Sequence, residues 1–211
     1  MARTPKLLRS RQRAVTAEDF EFMAEQALPG HIGRVKCIQP TRLDPGVTNP
    51  GQIHVLLIPK VELAAGYLEP NWLDVPNEDM EVVRDFLDRH RLLTTRLNIA
   101  PPAYHWVAVT IDLYAPTGVD RSALRDAVLR RLYAFLNPLT GGPGGDGWPF
   151  GRDLYEMDVY QCLQGVSDQL IIRELTMESV EMPSESRAKR TLIDVLGHGV
   201  IASHRHTVNF V

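Results

Sequence analysis

Residues 107–136 read VAVTIDLYAPTGVDRSALRDAVLRRLYAFL. In the first part Val107, Val109, Ile111 and Leu113 alternate with Ala108, Thr110 and Asp112, the period-two pattern of a strand. Trp106, just upstream, falls on the polar-alternating face, where it either covers a second layer or meets a partner. After Pro116 and Gly118 the period changes. Asp120 is placed as an N-cap, and Leu124, Val128, Leu129, Leu132, Phe135 and Leu136 fall on one helical face. Burying such a stripe contributes about 1.5–3 kcal/mol per large side chain, so this helix is expected to be a main core element. Arg121, Arg125, Arg130 and Arg131 lie off the stripe, as a solvated or partner-facing side.

The next residues, Asn137-Pro-Leu-Thr-Gly-Gly-Pro-Gly-Gly-Asp-Gly-Trp-Pro-Phe-Gly-Arg-Asp153, form a loop with a definite shape. Glycine supplies backbone angles closed to other residues, and proline fixes them. A merely flexible linker would be Gly/Ser-rich and featureless. This one ends in Trp148, Pro149, Phe150, Gly151 and Arg152, residue types useful as interface anchors. Two arrangements are open. Trp148 and Phe150 fold back on their own core while Arg152 bonds backbone carbonyls, or the group docks on a neighbouring chain. The loop lacks Gly-Lys-Ser/Thr and follows a helix, whereas phosphate-binding glycine loops follow a strand.

Working back toward the N-terminus, Pro101-Pro102 closes a helical region. In that region Met80, Val83, Phe86, Leu87 and Leu93 form an apolar stripe behind an N-cap at Asn77. Before it, Gln52–Pro59 is a strand whose continuous run Val55–Ile58 predicts cover on both faces. Gly33–Thr41 is its hairpin partner across the turn signals Asp44-Pro-Gly46 and Asn49-Pro-Gly51. Thr16 caps a first helix with Phe20, Met23, Ala24 and Ala27 on one face, ended by Pro29-Gly30. Residues 1–14 are a basic arm carrying Arg3, Lys6, Arg9, Arg11 and Arg13. It is either mobile or ordered by an acidic partner.

Working forward from the loop, Asp158–Leu163 is helical. Leu170, Ile172, Leu175 and Met177 form a strand whose alternation slips after Ile172, through a bulge or a shifted register. Pro183–Lys189 is polar and is taken as a linker. Leu192–Leu196 and Val200–Phe210 are two short strands, paired as a hairpin turning at Gly197-His-Gly199. The fold class is therefore α+β: a mixed sheet packed with amphipathic helices, plus a small C-terminal β-hairpin. Residues 15–182 make the main domain, with a division into two subdomains near 100–120 as an option. Residues 183–211 form the linker and hairpin tail.

Composition narrows the function. The 211 residues are 44% hydrophobic and 23% charged with net charge −3, an ordinary globule with no electrostatic footprint for nucleic acid. No apolar run reaches the ~20 residues needed to span a bilayer, so no membrane insertion is expected. Cys37 and Cys162 have no metal-ligand spacing and are read as small buried residues. His204 and His206 could begin a metal site with His198 from the turn, or form a polar strand face. The other histidines, His31, His54, His90 and His105, are scattered. Glu156 with Asp158, and Asp85 with Asp88, could be acid/base pairs but sit in ordinary helical charge patterns. No Gly-x-Ser-x-Gly elbow is present. The residues point to no enzyme, no cofactor and no metal.

Three segments taken together resemble a known family. They are Arg13-Ala-Val-Thr-Ala-Glu-Asp-Phe-Glu21, Leu132–Arg152 ending in Asp-Gly-Trp-Pro-Phe-Gly-Arg, and Val200-Ile-Ala-Ser-His-Arg-His206. They are similar to the C-terminal part of baseplate J-like proteins, wedge components of contractile phage tails and extracellular contractile injection systems. The similarity runs over nearly the whole chain after about Arg11, and the Trp-Pro-Phe-Gly-Arg loop is its most specific part. The resemblance implies a non-enzymatic structural subunit. Its partners would be other wedge subunits, the central hub and spike, and the sheath, in a six-fold hetero-oligomer. Such a subunit is found in the bacterial cytoplasm during assembly and then in the finished particle. The resemblance makes Trp148, Pro149, Phe150, Gly151 and Arg152 interface or loop-anchor candidates. Arg9, Arg11 and Arg13 of the arm and His204 and His206 of the tail are further interface candidates. Family members usually carry substantial sequence before the segment matching Arg13–Glu21, whereas Met1 lies just upstream. A short or split wedge protein, or a fragment of a longer one, is therefore expected. The alternative from the residues alone is a stand-alone module that binds a ligand or effector in the glycine loop.

Overall fold

The computed structural model describes residues 13–39, 51–61, 66–167 and 170–211. The chain divides into two compact units, Met1–Val61 with Pro70–Pro102, and Glu62–Glu69 with Ala103–Val211.

The first unit is built on a three-stranded sheet ordered β1-β2-β3, with β1 at Ile32–Ile38, β2 at Gln52–Pro59 and β3 at Arg96–Ala100. β1 runs antiparallel to β2, with Cys37 opposite Val55, and β3 runs parallel to it. Two helices, α1 (Ala17–Ala27) and α2 (Asn77–Asp88), pack on the sheet. The core joins Phe20, Met23 and Ala24 of α1 and Val83 and Leu87 of α2 to Cys37, Val55, Leu57 and Ile99. Leu56 and Ile58, on the other face of β2, are also buried. The central-strand reading of Val55–Ile58 therefore holds.

Thr16 caps α1 as expected, in a reciprocal box. Its hydroxyl accepts the Asp19 amide at 3.2 Å, and the Asp19 carboxylate accepts the Thr16 amide at 2.9 Å. Four details differ from the sequence reading. Pro76, not Asn77, occupies the α2 N-cap, and Asn77 is the first helical residue. β1 ends at Ile38, while 40–50, with the expected turn signals, lie outside the described residues. β3 was read as the tail of a helical region, because it is short and offers only Leu97 and Ile99 as alternating apolar positions. The basic arm is tied down at its end: Ala14 is fully buried and its amide bonds the His90 carbonyl at 2.9 Å.

The second unit is organised around β4 (Ala103–Tyr114). β6 (Ile171–Glu181) runs antiparallel along one side of β4, and β7 (Ser186–Arg190) extends the sheet beyond β6. The slip in the β6 pattern is a bulge: Glu174 faces Asp112, Ile172 faces Leu113, and Arg173 is the extra residue. β4 is buried on both faces over Trp106–Val109, so Trp106 faces an interior layer. The helix α3 (Arg121–Phe135) buries Leu124, Val128 and Leu132. Asp120 caps it, accepting the Ser122 and Ala123 amides at 2.9 and 3.1 Å. A short helix α4 (Glu156–Leu163) follows β5 (Leu154–Tyr155), which pairs with β8 (Leu192–Ile193).

Two expectations for the C-terminal region are corrected. Pro183–Lys189 is not a linker, because its second half is β7. That strand reads as polar because it is an edge strand with almost every side chain in solvent. There is also no C-terminal hairpin. β9 (Gly199–Ser203) and β10 (Thr207–Phe210) both run parallel to β4, end to end along one edge. The twelve residues of β4 are long enough to seat both. The Gly197–Gly199 turn carries the chain from β8 to β4, so it closes no hairpin.

Candidate functional site

The glycine loop is held from within. Asn137 is buried, and its side-chain oxygen accepts the Leu139 and Thr140 amides at 2.7 and 3.1 Å. Its backbone carbonyl accepts the Gly141 and Trp148 amides at 3.0 and 3.2 Å, drawing the two ends of the loop together. Gly142 donates to the Phe135 carbonyl at 2.7 Å, and Gly147 to that of Gly141 at 2.9 Å. Gly142 has φ +73°, a left-handed conformation that favours glycine. A Cβ there would also meet the Gly147 carbonyl at 2.9 Å.

Trp148 is fully buried in its own unit. Its ring meets Phe135 edge-on at 5.5 Å, and its Nε1–H donates to the Arg152 carbonyl at 2.9 Å. The Arg152 guanidinium lies 5.5 Å from the Trp148 ring centroid and bonds the Asp158 carboxylate at 2.9 Å. It therefore pairs with a side chain and not, as expected, with backbone carbonyls. The other Asp158 oxygen accepts the Tyr155 amide at 3.0 Å, capping α4. Gly151 donates to the Gly199 carbonyl at 3.0 Å, and a Cβ on Gly151 would lie 3.0 Å from the Cα of Gly197. Pro149 and Phe150 are half-buried, and Gly151 is exposed.

Beside the loop is an open concavity of about 460 Å³, whose lining includes Arg131, Thr140, Gly142, Gly145, Arg152 and Gln161. Arg131 donates through Nε to the Cys162 carbonyl at 2.8 Å, which fixes its position on this wall. Arg131 is exposed, in keeping with the side of α3 read as solvated or partner-facing. Its tie to Cys162, 31 residues away, leaves no local pattern.

His204 and His206 sit in a second, separate place. They lie between β9 and β10, both buried, where a polar strand face was expected. Val107 of β4 faces Ser203 and Thr110 faces Thr207. Between those pairs β4 has two residues and the other strand three, so the histidines occupy a one-residue bulge. The His204 amide bonds the Val107 carbonyl at 2.8 Å. His206 Nδ1 accepts the Val109 amide at 3.1 Å, replacing a ladder carbonyl with an imidazole nitrogen. Its ring centroid lies 4.7 Å from that of Tyr133, and the His204 ring meets Tyr67 edge-on at 5.7 Å. Burial, reinforced by His204, pushes His206 down to about 3. Burial, with Arg187, lowers His204 as well.

Burial, and after it His198, the expected third ligand, lower His105. Among the described residues, no three His, Cys, Asp or Glu side chains form a set that could hold a metal ion. Cys37 and Cys162 are buried, and burial raises both thiols to about 12, far from a reactive thiolate. Arg13 is exposed, and Arg9 and Arg11 lie outside the described residues. Among the described residues, no helix is long and apolar enough to cross a membrane.

No family model matches the chain, and no curated protein matches it. Among solved structures, a chain of the anti-feeding prophage (AFP) baseplate, determined by cryo-EM and 6-fold symmetrised, aligns with 96% of this chain at TM-score 0.59 and 18% identity. The alignment takes in 40% of the baseplate chain, so this protein spans less than half the length of its neighbour. At that identity the likeness is one of fold: nearly the whole of this α+β chain has the architecture of part of a baseplate subunit.

Proposed function

We propose that this chain is a structural baseplate wedge subunit of a contractile tail or an extracellular contractile injection system, with no catalytic role. The observation that carries the reading is the fold likeness to an AFP baseplate chain over 96% of these residues. The three segments that resemble baseplate J-like proteins lead to the same reading, although no family model matches the chain. In this reading the protein joins related wedge subunits, the hub and the sheath in a six-fold particle. The basic arm and the exposed residues flanking Trp148 supply contacts, while Trp148 itself fixes the loop that presents them. Electron microscopy of particles from a deletion strain tests the proposal. Loss of contractile particles, restored by the gene in trans, is expected; normal particles without the protein would refute it.

The concavity beside the glycine loop favours one second reading, a module that captures a ligand or effector there. Thr140 is exposed on its wall. A Thr140→Trp substitution fills the space without touching the buried core. Under the second reading it abolishes cargo capture while particles still assemble. Under the wedge reading it affects assembly or nothing.

A further inference from the structure

β10 is a four-residue strand that closes the Thr110–Leu113 edge of β4. It is held at both ends by side chains. At its far end the guanidiniums of Arg121 and Arg125 lie 5.7 and 5.5 Å from the Phe210 ring centroid. There too Asn209 Nδ2 donates to Asp112 at 2.9 Å, and the Val211 amide bonds the Leu113 carbonyl at 2.9 Å. At its near end the hold is the His206 ring. Nδ1 can accept the Val109 amide only while it carries no proton, so the proton of the neutral ring is on Nε2. That nitrogen is buried without a hydrogen-bond partner among the described residues, as are His204 Nδ1 and Ser203 Oγ.

A second proton would put two N–H groups face to face, one from the ring and one from Val109. The resulting cation finds no acceptor for its Nε2 proton among the described residues. The Tyr133 hydroxyl accepts from the His206 amide at 3.4 Å, the Tyr133 ring lies against the imidazole, and the His204 ring opposes a charge on it. Around His204, Arg187 and Arg205 oppose a positive charge, while Glu185 and Glu69 favour one. Tyr67 covers the His204 ring, and Arg205 in turn lies 5.3 Å from the Tyr67 ring centroid. A charged His206 is therefore stable only if the ring leaves the Val109 amide, and that breaks its hydrogen bond to β4 at the near end of β10.

We propose that the Ser203–Thr207 bulge is an acid-operated joint: protonation of His206 at Nδ1 expels the Val109 amide and frees β10 from the Thr110–Leu113 edge of β4.

Hydrogen exchange read by mass spectrometry on the intact protein tests this, at about pH 7.5 and about pH 5 with times scaled for intrinsic exchange. Peptides covering 207–211 and Val109 should lose roughly tenfold protection per pH unit below the imidazole range, while the β6–β7 peptides stay protected. His206→Asn keeps an acceptor for Val109 but cannot titrate, so its 207–211 peptide should remain protected at the lower pH. Phe210→Ala weakens the far latch and should move release to higher pH, giving a second reading if the Asn variant folds poorly. Unchanged protection of 207–211 at pH 5, or equal loss across all strands, overturns the proposal.

Discussion

The imidazole of His206 accepts the Val109 amide at 3.1 Å, so a side chain performs a backbone carbonyl's task in the middle of a parallel ladder. The bulge between β9 and β10 makes this necessary, because its extra residue moves the local carbonyls out of register. His206→Ala should therefore cost about 2–4 kcal/mol, combining an orphaned buried amide with a cavity. His206→Asn, which offers an oxygen close to the Nδ1 position, should recover most of the loss. The sign of the pH dependence follows from the same bond. Folding holds His206 neutral down to about 3, against an ordinary value of 6.5. Stability is complete above the unfolded value. It falls as pH drops from 6.5 toward 3, because only the unfolded chain takes up the proton. His204 and His105 are lowered too and add in the same direction. Urea titrations across this range should show a steeper loss for the natural protein than for His206→Asn. Equal slopes would remove His206 from the account.

Trp148 is expected to dominate the stability of the glycine loop. It is fully buried, and its indole N–H has a carbonyl partner four residues on. Trp148→Ala should cost about 3–5 kcal/mol. Trp148→Phe keeps much of the packing on Phe135 and loses chiefly one hydrogen bond, about 1 kcal/mol. Thermal unfolding followed by circular dichroism separates the two. A small effect for Trp148→Ala would mean that the loop is held by its backbone bonds alone.

The glycines of the loop should not be equivalent. A Cβ on Gly141 would strike the Phe135 carbonyl and lie 2.6 Å from both the Ala134 carbonyl and the Asn137 amide nitrogen. Those atoms belong to the backbone at the end of α3 and cannot step aside. Gly141→Ala should therefore destabilise by at least about 2–3 kcal/mol, in the manner of an overpacked core. At Gly145 nothing lies within 4 Å of an added Cβ, and only the φ of +75° opposes it. Gly145→Ala should cost about 1–2 kcal/mol. Denaturant midpoints for the two variants decide the order, and a reversed order would mean the loop relaxes freely around residue 141.

These positions mark how far sequence reasoning reaches. The period-two run in β4, the stripe of α3 and the Asp120 cap are each legible because cause and effect lie within a few residues. The bulge at Arg173 showed as a broken alternation. What stayed hidden depends on distant partners. β7 reads as a linker because an edge strand needs no apolar face, and the Arg187–Glu178 contact at 3.4 Å that helps hold it to β6 leaves no local pattern. β9 and β10 read as a hairpin because two short strands across a glycine turn usually pair with each other, yet both are claimed by β4. His204 and His206 suggest a polar face or a metal. Only the register of β4 against 199–210 shows why they are buried. In the loop, the choice of Trp148 as an anchor was visible. Its closure on Phe135 and the pairing of Arg152 with Asp158 were not.

The basic arm gives the last prediction, and it bears directly on the wedge reading. Arg13 is exposed immediately before the point where Ala14 is buried, so the last residue of the arm has a fixed place on the first unit. If Arg9, Arg11 and Arg13 meet an acidic surface on a partner subunit, their attraction is screened as ionic strength rises, over a Debye length of about 10 Å at 0.1 M salt. The natural protein should then enter particles, or bind isolated baseplate, less well as salt increases. Replacing all three with Ser removes the attraction at every salt concentration. The variant should assemble poorly at low salt and respond only weakly to further salt, so that the two curves converge at high ionic strength. Sedimentation of assembled particles across a salt series reads this out. Parallel curves, with the variant as salt-sensitive as the natural protein, would place the electrostatic contact elsewhere. The basic side of α3, with Arg121, Arg125 and Arg130 all exposed, would be the next surface to substitute.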